Sequence, residues 1–296
     1  MKKDLIKLDE EKEIEFKTYM CQNCSSIFTV PISVKNASCV FCSSKKADGI
    51  NNIDYSDYSI LPFVDSLGDA KRKYRKKIKY NYLLPMVFRS RKTISNMKRI
   101  YLPCMLYDVK VTGKISFYGA DKVRGVKNSP MQTFDSSYDI NIQYDNVLLC
   151  AFDKVKDEML CEINDFILSS LKDYDPNEMS NLYLVPVNEY VDQNTEGITE
   201  RVRNNVLNIV RDNVNHELRK LNKDESKIEV TSVKKVFVPV YLLNIIYKDN
   251  NYIFLMNGQT GTSTIDLTTS KLSLALFSLI VFIIVFIIIV GIAFVL

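Results

Sequence analysis

Three hydrophobic patterns divide this chain. The most extreme lies at its far end, where Leu272 to Leu296 reads LSLALFSLIVFIIVFIIIVGIAFVL. That stretch has no charged residue, and its only polar side chains are Ser273 and Ser278. As a helix it reaches roughly 38 Å, against a hydrocarbon core of about 30 Å. Lipid offers no partner to exposed backbone amides, so a span of this kind must be helical. The pattern predicts one C-terminal transmembrane helix over 272–296.

The second pattern repeats every three to four residues, the spacing of one helix face. It predicts a helix from Gly68 or Asp69 to about Lys79 and a short one over Ser95–Arg99. It predicts two longer helices further on. Over Lys154–Leu171 the apolar positions are Val155, Met159, Ile163, Ile167 and Leu171. Over Ile198–Leu221 they are Val202, Val206, Ile209, Val210, Val214, Leu218 and Leu221.

The third pattern is strand-like: short runs rich in β-branched and aromatic residues, bounded by turn formers. Ile60–Phe63 is a short strand. Tyr101–Val111 is a longer one, which Thr112-Gly113 turns back into Lys114–Gly119. Met131–Phe134 and Tyr138–Phe152 follow. Ile228–Val230 leads to Phe237–Tyr247, Asp249-Asn250-Asn251 turns into Tyr252–Met256, and Asn257–Gly261 turns again. Tyr101-Leu102-Pro103 and Phe237-Val238-Pro239 open similar strand-and-hairpin stretches, each after a helical one. The body reads as two related halves.

The fold class is thus α+β, with a charged N-terminal segment over 1–15 and a small cysteine module over 16–50. A polar linker covers 51–59 (NNIDYSDYS). An α+β half with a basic helix and a hairpin covers 60–153, a helical and β-hairpin half covers 154–267, and the transmembrane helix ends the chain. The N-terminus MKKDLIKLDEEKEIEF has no apolar core of signal-peptide length.

Cysteine spacing supplies the clearest chemistry. Cys21-Gln22-Asn23-Cys24 and Cys39-Val40-Phe41-Cys42 are two C-x₂-C knuckles. Four thiolates so arranged close a tetrahedral site for one structural Zn²⁺, each pair coming from one tight turn. Ile27–Val30 and Ile32–Val34, interrupted by Pro31, read as strands bridging the knuckles to form a zinc ribbon. Metal binding supplies the folding energy that so small a core lacks. Knuckles often carry Gly after the second Cys; Ser25 and Ser43 stand there. A redox C-x-x-C pair and four incidental core thiols are the competing readings, and the doubled spacing disfavours both. Cys104, Cys150 and Cys161 lie among apolar neighbours and read as buried structural thiols. Paired cysteines in an odd total of seven suit metal binding in a reducing compartment.

Charge changes the picture of the surface. The net charge is only +4, yet Lys71 to Arg99 holds twelve Lys and Arg and no acidic residue. Its densest part is Lys71, Arg72, Lys73, Arg75, Lys76, Lys77 and Lys79. Such a segment serves as a solvated helix face, docks on anionic lipid headgroups, or contacts nucleic-acid phosphates with Tyr74 and Tyr80 interleaved.

Several pieces resemble the bacterial TFIIB-type zinc-ribbon-containing membrane proteins, often loosely labelled primosomal or helicase-like. They are CQNC…CVFC, ILPF before a basic helix, IYLPCMLYDVKVTG, VFVPVYLLNIIYKDNNYIFLMNGQTG and the hydrophobic end. Tryptophans that such proteins often have beside the prolines are missing, as at Cys104-Met105 and Tyr241. The resemblance implies an architecture and a membrane-anchored partner of other envelope-associated factors, rather than an activity.

No phosphate-binding loop, nucleophile elbow or HExxH motif is present. His216, the sole histidine, reads as a solvated or helix-capping residue. No enzymatic activity and no small-molecule substrate are expected. The expected function is a membrane-anchored zinc-ribbon adaptor, single-pass in the cell membrane with its N-terminal domains cytoplasmic. It would sit on membrane lipid and bind another membrane-associated protein. The alternative is a membrane-associated nucleic-acid-binding protein using the ribbon and residues 71–79.

Overall fold

The computed structural model describes residues 14–35, 37–122, 131–150, 154–179, 182–186, 195–214 and 218–295. In chain order the strands begin β1 (Phe16–Cys21), β2 (Ile27–Pro31), β3 (Ala47–Ile50) and β4 (Tyr58–Ile60). Helices α1 (Leu67–Ile78) and α2 (Arg91–Ser95) precede β5 (Lys98–Lys122) and β6 (Met131–Leu149). Helix α3 (Asp157–Glu162), β7 (Lys172–Asp173), β8 (Tyr183–Leu184) and α4 (Thr195–Asn213) follow. The chain closes with β9 (Leu218–Asp224), β10 (Lys227–Tyr247), β11 (Asn250–Asn257), β12 (Ser263–Ile265) and α5 (Lys271–Val295).

Twelve strands join one mixed sheet in the order β12-β11-β10-β5-β8-β2-β1-β3, with β4, β6, β7 and β9 attached off that path. This corrects the expected α+β body of two consecutive halves. Two compact units are present, and each draws on separated stretches of chain. One comprises Met1–Pro103, Phe152–Pro186 and Phe237–Leu296; the other comprises Cys104–Ala151 and Val187–Val236.

In the first unit, α1 lays Ala70, Tyr74 and Ile78 against Tyr241, Leu243 and Ile245 of β10 and Phe254 and Met256 of β11. The residues after α1 add Leu84, Phe88, Ile94 and Met97 to that core. Ser66 starts α1 with a capping box. Its hydroxyl accepts from the Asp69 amide, and the Asp69 carboxylate accepts from the Ser66 amide. The short helix expected at Ser95–Arg99 lies earlier, as α2, because Lys98 onward enters β5.

The expected helix over Lys154–Leu171 survives only as α3. Propagation would need the Ile167 amide to donate to the Ile163 carbonyl. Both groups have other partners. Asn257 Nδ2 donates to Ile163 O at 3.0 Å, and the Ile167 amide donates to Gln259 Oε1 at 2.9 Å. The Asn257–Gly261 turn therefore ends the helix from 90 or more residues away.

In the second unit, Met105, Tyr107, Val109, Val111, Ile115 and Phe117 alternate along β5. They pack against Ile198, Val202, Val206, Val210 and Val214 of α4 and its end. The expected turn at Thr112-Gly113 is absent: β5 runs straight through it, with Gly113 at φ +133°. A Cβ there would stand 2.4 Å from the Glu225 carbonyl oxygen, so only Gly lets that backbone approach. Helix α4 stops at Asn213 rather than continuing to Leu221. Leu218 and Leu221 sit in β9, paired with Ala120 and Phe117 of β5. His216 lies outside the described residues.

The β5–β6 register pairs Met105 with Leu149, which brings the flanking Cys104 and Cys150 together as a disulfide. That corrects the reading of both as buried thiols. Cys161 is free and exposed, not buried.

The C-terminal pattern forms α5, a 25-residue helix whose described side chains are exposed. Among the described residues, however, no helix is long and apolar enough to cross a membrane. The single transmembrane span, the cell-membrane location and the cytoplasmic placement that depended on it are therefore not retained.

Candidate metal centre

Cys21 ends β1, and Cys24 follows one tight turn later. Cys39 and Cys42 repeat the arrangement in the loop before β3. The two turns share one hydrogen-bond pattern. The Ser25 amide donates to Cys21 O at 2.9 Å and the Ser43 amide to Cys39 O at 3.1 Å. The Cys21 amide donates to Ser26 O and the Cys39 amide to Ser44 O, both at 2.9 Å. Ser25 and Ser43, standing where glycine is common, take φ +57° and +59°. Both positions thus bear the left-handed cost of a side chain, and the next amides, of Ser26 and Ser44, hydrogen-bond the Cys24 and Cys42 sulfurs.

The strands beneath differ from expectation in one respect. Antiparallel partners β1 and β2 pair Phe16 with Pro31 through Met20 with Ile27, and β3 pairs with the other edge of β1. Ile32–Val34 is not a strand. Phe28, Val30, Val40 and Phe41 are buried. Below them, Thr18 Oγ1, Thr29 Oγ1 and the Tyr55 hydroxyl form a chain of hydrogen bonds of 2.9 and 2.8 Å. Tyr55 belongs to the segment expected to be a linker, yet its ring is buried with that of Tyr58.

The four sulfurs lie within 4.8 Å of one another. Cys21 Sγ is 3.5 Å from Cys42 Sγ, and Cys24 Sγ is 3.5 Å from Cys39 Sγ. Tetrahedral coordination at about 2.3 Å sets sulfur–sulfur separations near 3.8 Å. The group can therefore hold a metal ion with only small adjustments. Burial pushes the Cys24 thiol up, but hydrogen bonds from the Ser26 hydroxyl and amide, with Cys42 and Cys39, bring it down to about 7. Burial pushes the Cys39 and Cys42 thiols up. A bound dication would offset that burial cost by replacing the protons of four crowded sulfurs with one shared positive charge.

One supporting residue has no local signal in the sequence. Lys98, the first residue of β5, sends its Nζ to Ser38 O at 2.6 Å, Ser38 Oγ at 2.7 Å and Cys39 O at 3.4 Å. The ammonium also lies 4.5 Å from the Tyr183 ring centroid. Burial brings its pKa down to about 8, although Cys39 and Cys42 oppose that shift. Lys98 thus fixes the second knuckle and places a positive charge beside sulfurs that would carry net negative charge around a bound dication. Asn251 adds a hydrogen bond of 2.9 Å from its Nδ2 to Phe41 O.

Among the described residues no other group of three or more metal-ligating side chains converges. The basic residues proposed for lipid or nucleic acid all lie on α1 or its cap. They do not form one free surface. Arg72 pairs with Asp69, and Lys73 pairs with Asp65 at 2.6 Å. Lys77 donates to the Ser263 carbonyl. Lys71, Arg75, Lys76 and Lys79 make no ion pair among the described residues.

No protein-family model matches the chain, so the resemblance to TFIIB-type zinc-ribbon membrane proteins has no support at family level. No solved structure matches it either. The chain is 24% identical over 211 residues to the uncharacterized protein YdjG of Bacillus subtilis (strain 168), covering 68% of this chain. It spans 61% of that relative's length. What these comparisons establish is a distant similarity to a Bacillus protein of uncharacterized function, in a chain with a four-cysteine group able to hold a metal.

Proposed function

We propose that this chain is a zinc-ribbon adaptor: a single structural Zn²⁺ on Cys21, Cys24, Cys39 and Cys42 holds the ribbon, and the ribbon binds a partner protein. The observation that carries this reading is the convergence of four cysteine sulfurs within 4.8 Å of one another. Four thiolates at this separation would fill all four positions around a zinc ion and leave none for a water or substrate, the arrangement of a structural rather than a catalytic zinc. The role is binding, not catalysis.

Two features of the ribbon support a protein partner. Ile32 is exposed at its surface at 55% and Met20 at 41%. Strand β3 ends the sheet order, so one of its edges has no neighbouring strand among the described residues. A partner can add an extended segment there. Against nucleic acid, three of the seven α1 cations already have intramolecular partners.

The test begins with metal content. Elemental analysis of purified protein should give one zinc per chain, and Cys39→Ser should lose it. A photo-crosslinking residue at Ile32 or Asp48 should then capture a discrete protein in native extract, and Cys39→Ser should abolish the capture. Zinc absent from the purified protein, or tight binding of DNA or RNA with a steep salt dependence and no protein crosslink, refutes the reading.

A further inference from the structure

The ribbon is not the only place where chemistry converges. The geometry points to a second site: a hollow at the C-terminal end of α1, lined by Arg75, Lys79, Arg89 and Arg91, that binds a phosphate-type oxyanion. The oxyanion is one carried by a small phosphorylated molecule or by a lipid headgroup. The site goes beyond the adaptor reading and does not depend on zinc.

The hollow has a volume of about 600 Å³, and its lining is completed by Ile78 and Ile94. No acidic side chain contributes to that lining. Arg75 and Lys79 are four residues apart on α1 and its cap, so they share one helix face. Arg89 and Arg91 arrive from a different part of the chain, on either side of Ser90, where a short turn of 3₁₀ helix (Met86–Arg89) leads into α2. Burial of Ile78, Phe88 and Ile94 in one core holds the two segments together.

Arg89 is anchored rather than free. Its Nη2 donates to Asn81 O at 2.5 Å and to Ile78 O at 3.4 Å, and its guanidinium lies 5.8 Å from the Tyr82 ring centroid. Its Nε is buried with no hydrogen-bond partner in the structure. Arg75, Lys79 and Arg91 are exposed and make no ion pair among the described residues.

Four cations facing one concavity repel each other. Elsewhere on α1 the protein relieves such repulsion with Asp65 and Asp69. Here no carboxylate lines the hollow, so a bound anion supplies the missing charge. Three guanidinium groups favour an oxyanion with several acceptor oxygens over a halide, because their planar forks donate paired hydrogen bonds to such groups. The small volume and apolar floor suit a single phosphate or pyrophosphate moiety, not a long polyanion.

The test uses the full chain and pyrophosphate as the probe, with calorimetric titration at low ionic strength. Saturable binding is expected, and Arg75→Gln with Arg91→Gln should weaken it by at least roughly tenfold, the loss of one or more charge-assisted hydrogen bonds. Arg72→Gln with Lys76→Gln removes the same charge outside the hollow and should leave the affinity within about twofold, because exposed charges beyond the contact are largely screened. A parallel arm measures sedimentation with vesicles of phosphatidic acid in phosphatidylcholine. Pocket-dependent binding to pyrophosphate identifies a soluble ligand. Pocket-dependent binding to the vesicles alone identifies a headgroup. Binding to neither, or equal loss in both double variants, overturns the site. Arg89 is left intact because it also caps α1, and circular dichroism checks that both double variants remain folded.

Discussion

Lys98→Met tests whether the ribbon is stabilised from outside itself. The substitution preserves an unbranched, flexible side chain of similar length but removes the ammonium. Two short hydrogen bonds to Ser38, at 2.6 and 2.7 Å, disappear, as does the longer contact with Cys39 O. A hydrogen bond from a charged donor contributes about 1.5–3 kcal/mol. Part of that loss falls on the metal site, because Ser38 and Cys39 lead into the second knuckle. The positive charge beside the sulfurs is lost as well. Changes in groups that orient metal ligands typically cost about 10–100-fold in affinity. The expected outcome is a zinc affinity lower by that factor with one zinc still bound at saturation, measured by competition with a chromophoric chelator. Lys98→Arg, which retains the charge, should recover part of the loss. Hydrogen exchange should show faster opening of β1, β2 and β3 in Lys98→Met than in the parent protein. Equal zinc affinity and equal exchange in both proteins would refute the reasoning.

Four further outcomes follow from the geometry. Gly113→Ala should destabilise the protein by about 3 kcal/mol or more, since it forces a side chain into a positive-φ position and against the Glu225 backbone; a denaturant midpoint equal to the parent's would contradict this. Asn257→Ala removes hydrogen bonds to Ile163 O and Asp165, and from the Gln259 and Thr260 amides. At about 1 kcal/mol each the loss is several kcal/mol, readable in thermal unfolding. Replacing Lys248-Asp249 with Asn-Gly should raise stability by up to about 1 kcal/mol, because both residues hold positive φ in a two-residue hairpin turn. Burial pushes the Asp224 carboxyl up, but hydrogen bonds from Ser226 and the Arg203 guanidinium at 2.6 Å outweigh it and hold the pKa below the ordinary carboxylate range. Its contribution is thus present above the unfolded value of about 3.9 and is lost as pH falls through the lower folded value. Arg203→Gln should flatten the acid limb of the stability profile below about pH 4.

The features legible in the sequence were those whose partners lie a few residues apart. The two C-x₂-C knuckles needed only their own turns, and the four sulfurs meet as the spacing implied. Helix α1 was expected from Gly68 or Asp69 to about Lys79, and its observed span is Leu67–Ile78; the Ser66 capping box that starts it came from the structure. The α4 stripe was readable up to Val214. Beyond it, Leu218 and Leu221 continued the helical spacing but joined a strand, because an open edge of β5 offered their backbone a ladder.

Local pattern determined the cysteine module, the basic helix and the strand-rich character of the body, because each depends on contacts within a turn or two of chain. Tertiary structure alone decided the rest, by competition among groups far apart in sequence. The amides of Asn257 and Gln259 cut short a helix that its own residues would have continued. The β5–β6 register joined Cys104 to Cys150. Lys98 reached across 60 residues to the second cysteine knuckle, and Arg89 and Arg91 were set opposite Arg75 and Lys79. Hydrogen-bonding groups and charges take the best partner that packing brings within reach, and sequence spacing reveals that partner only when it is a near neighbour.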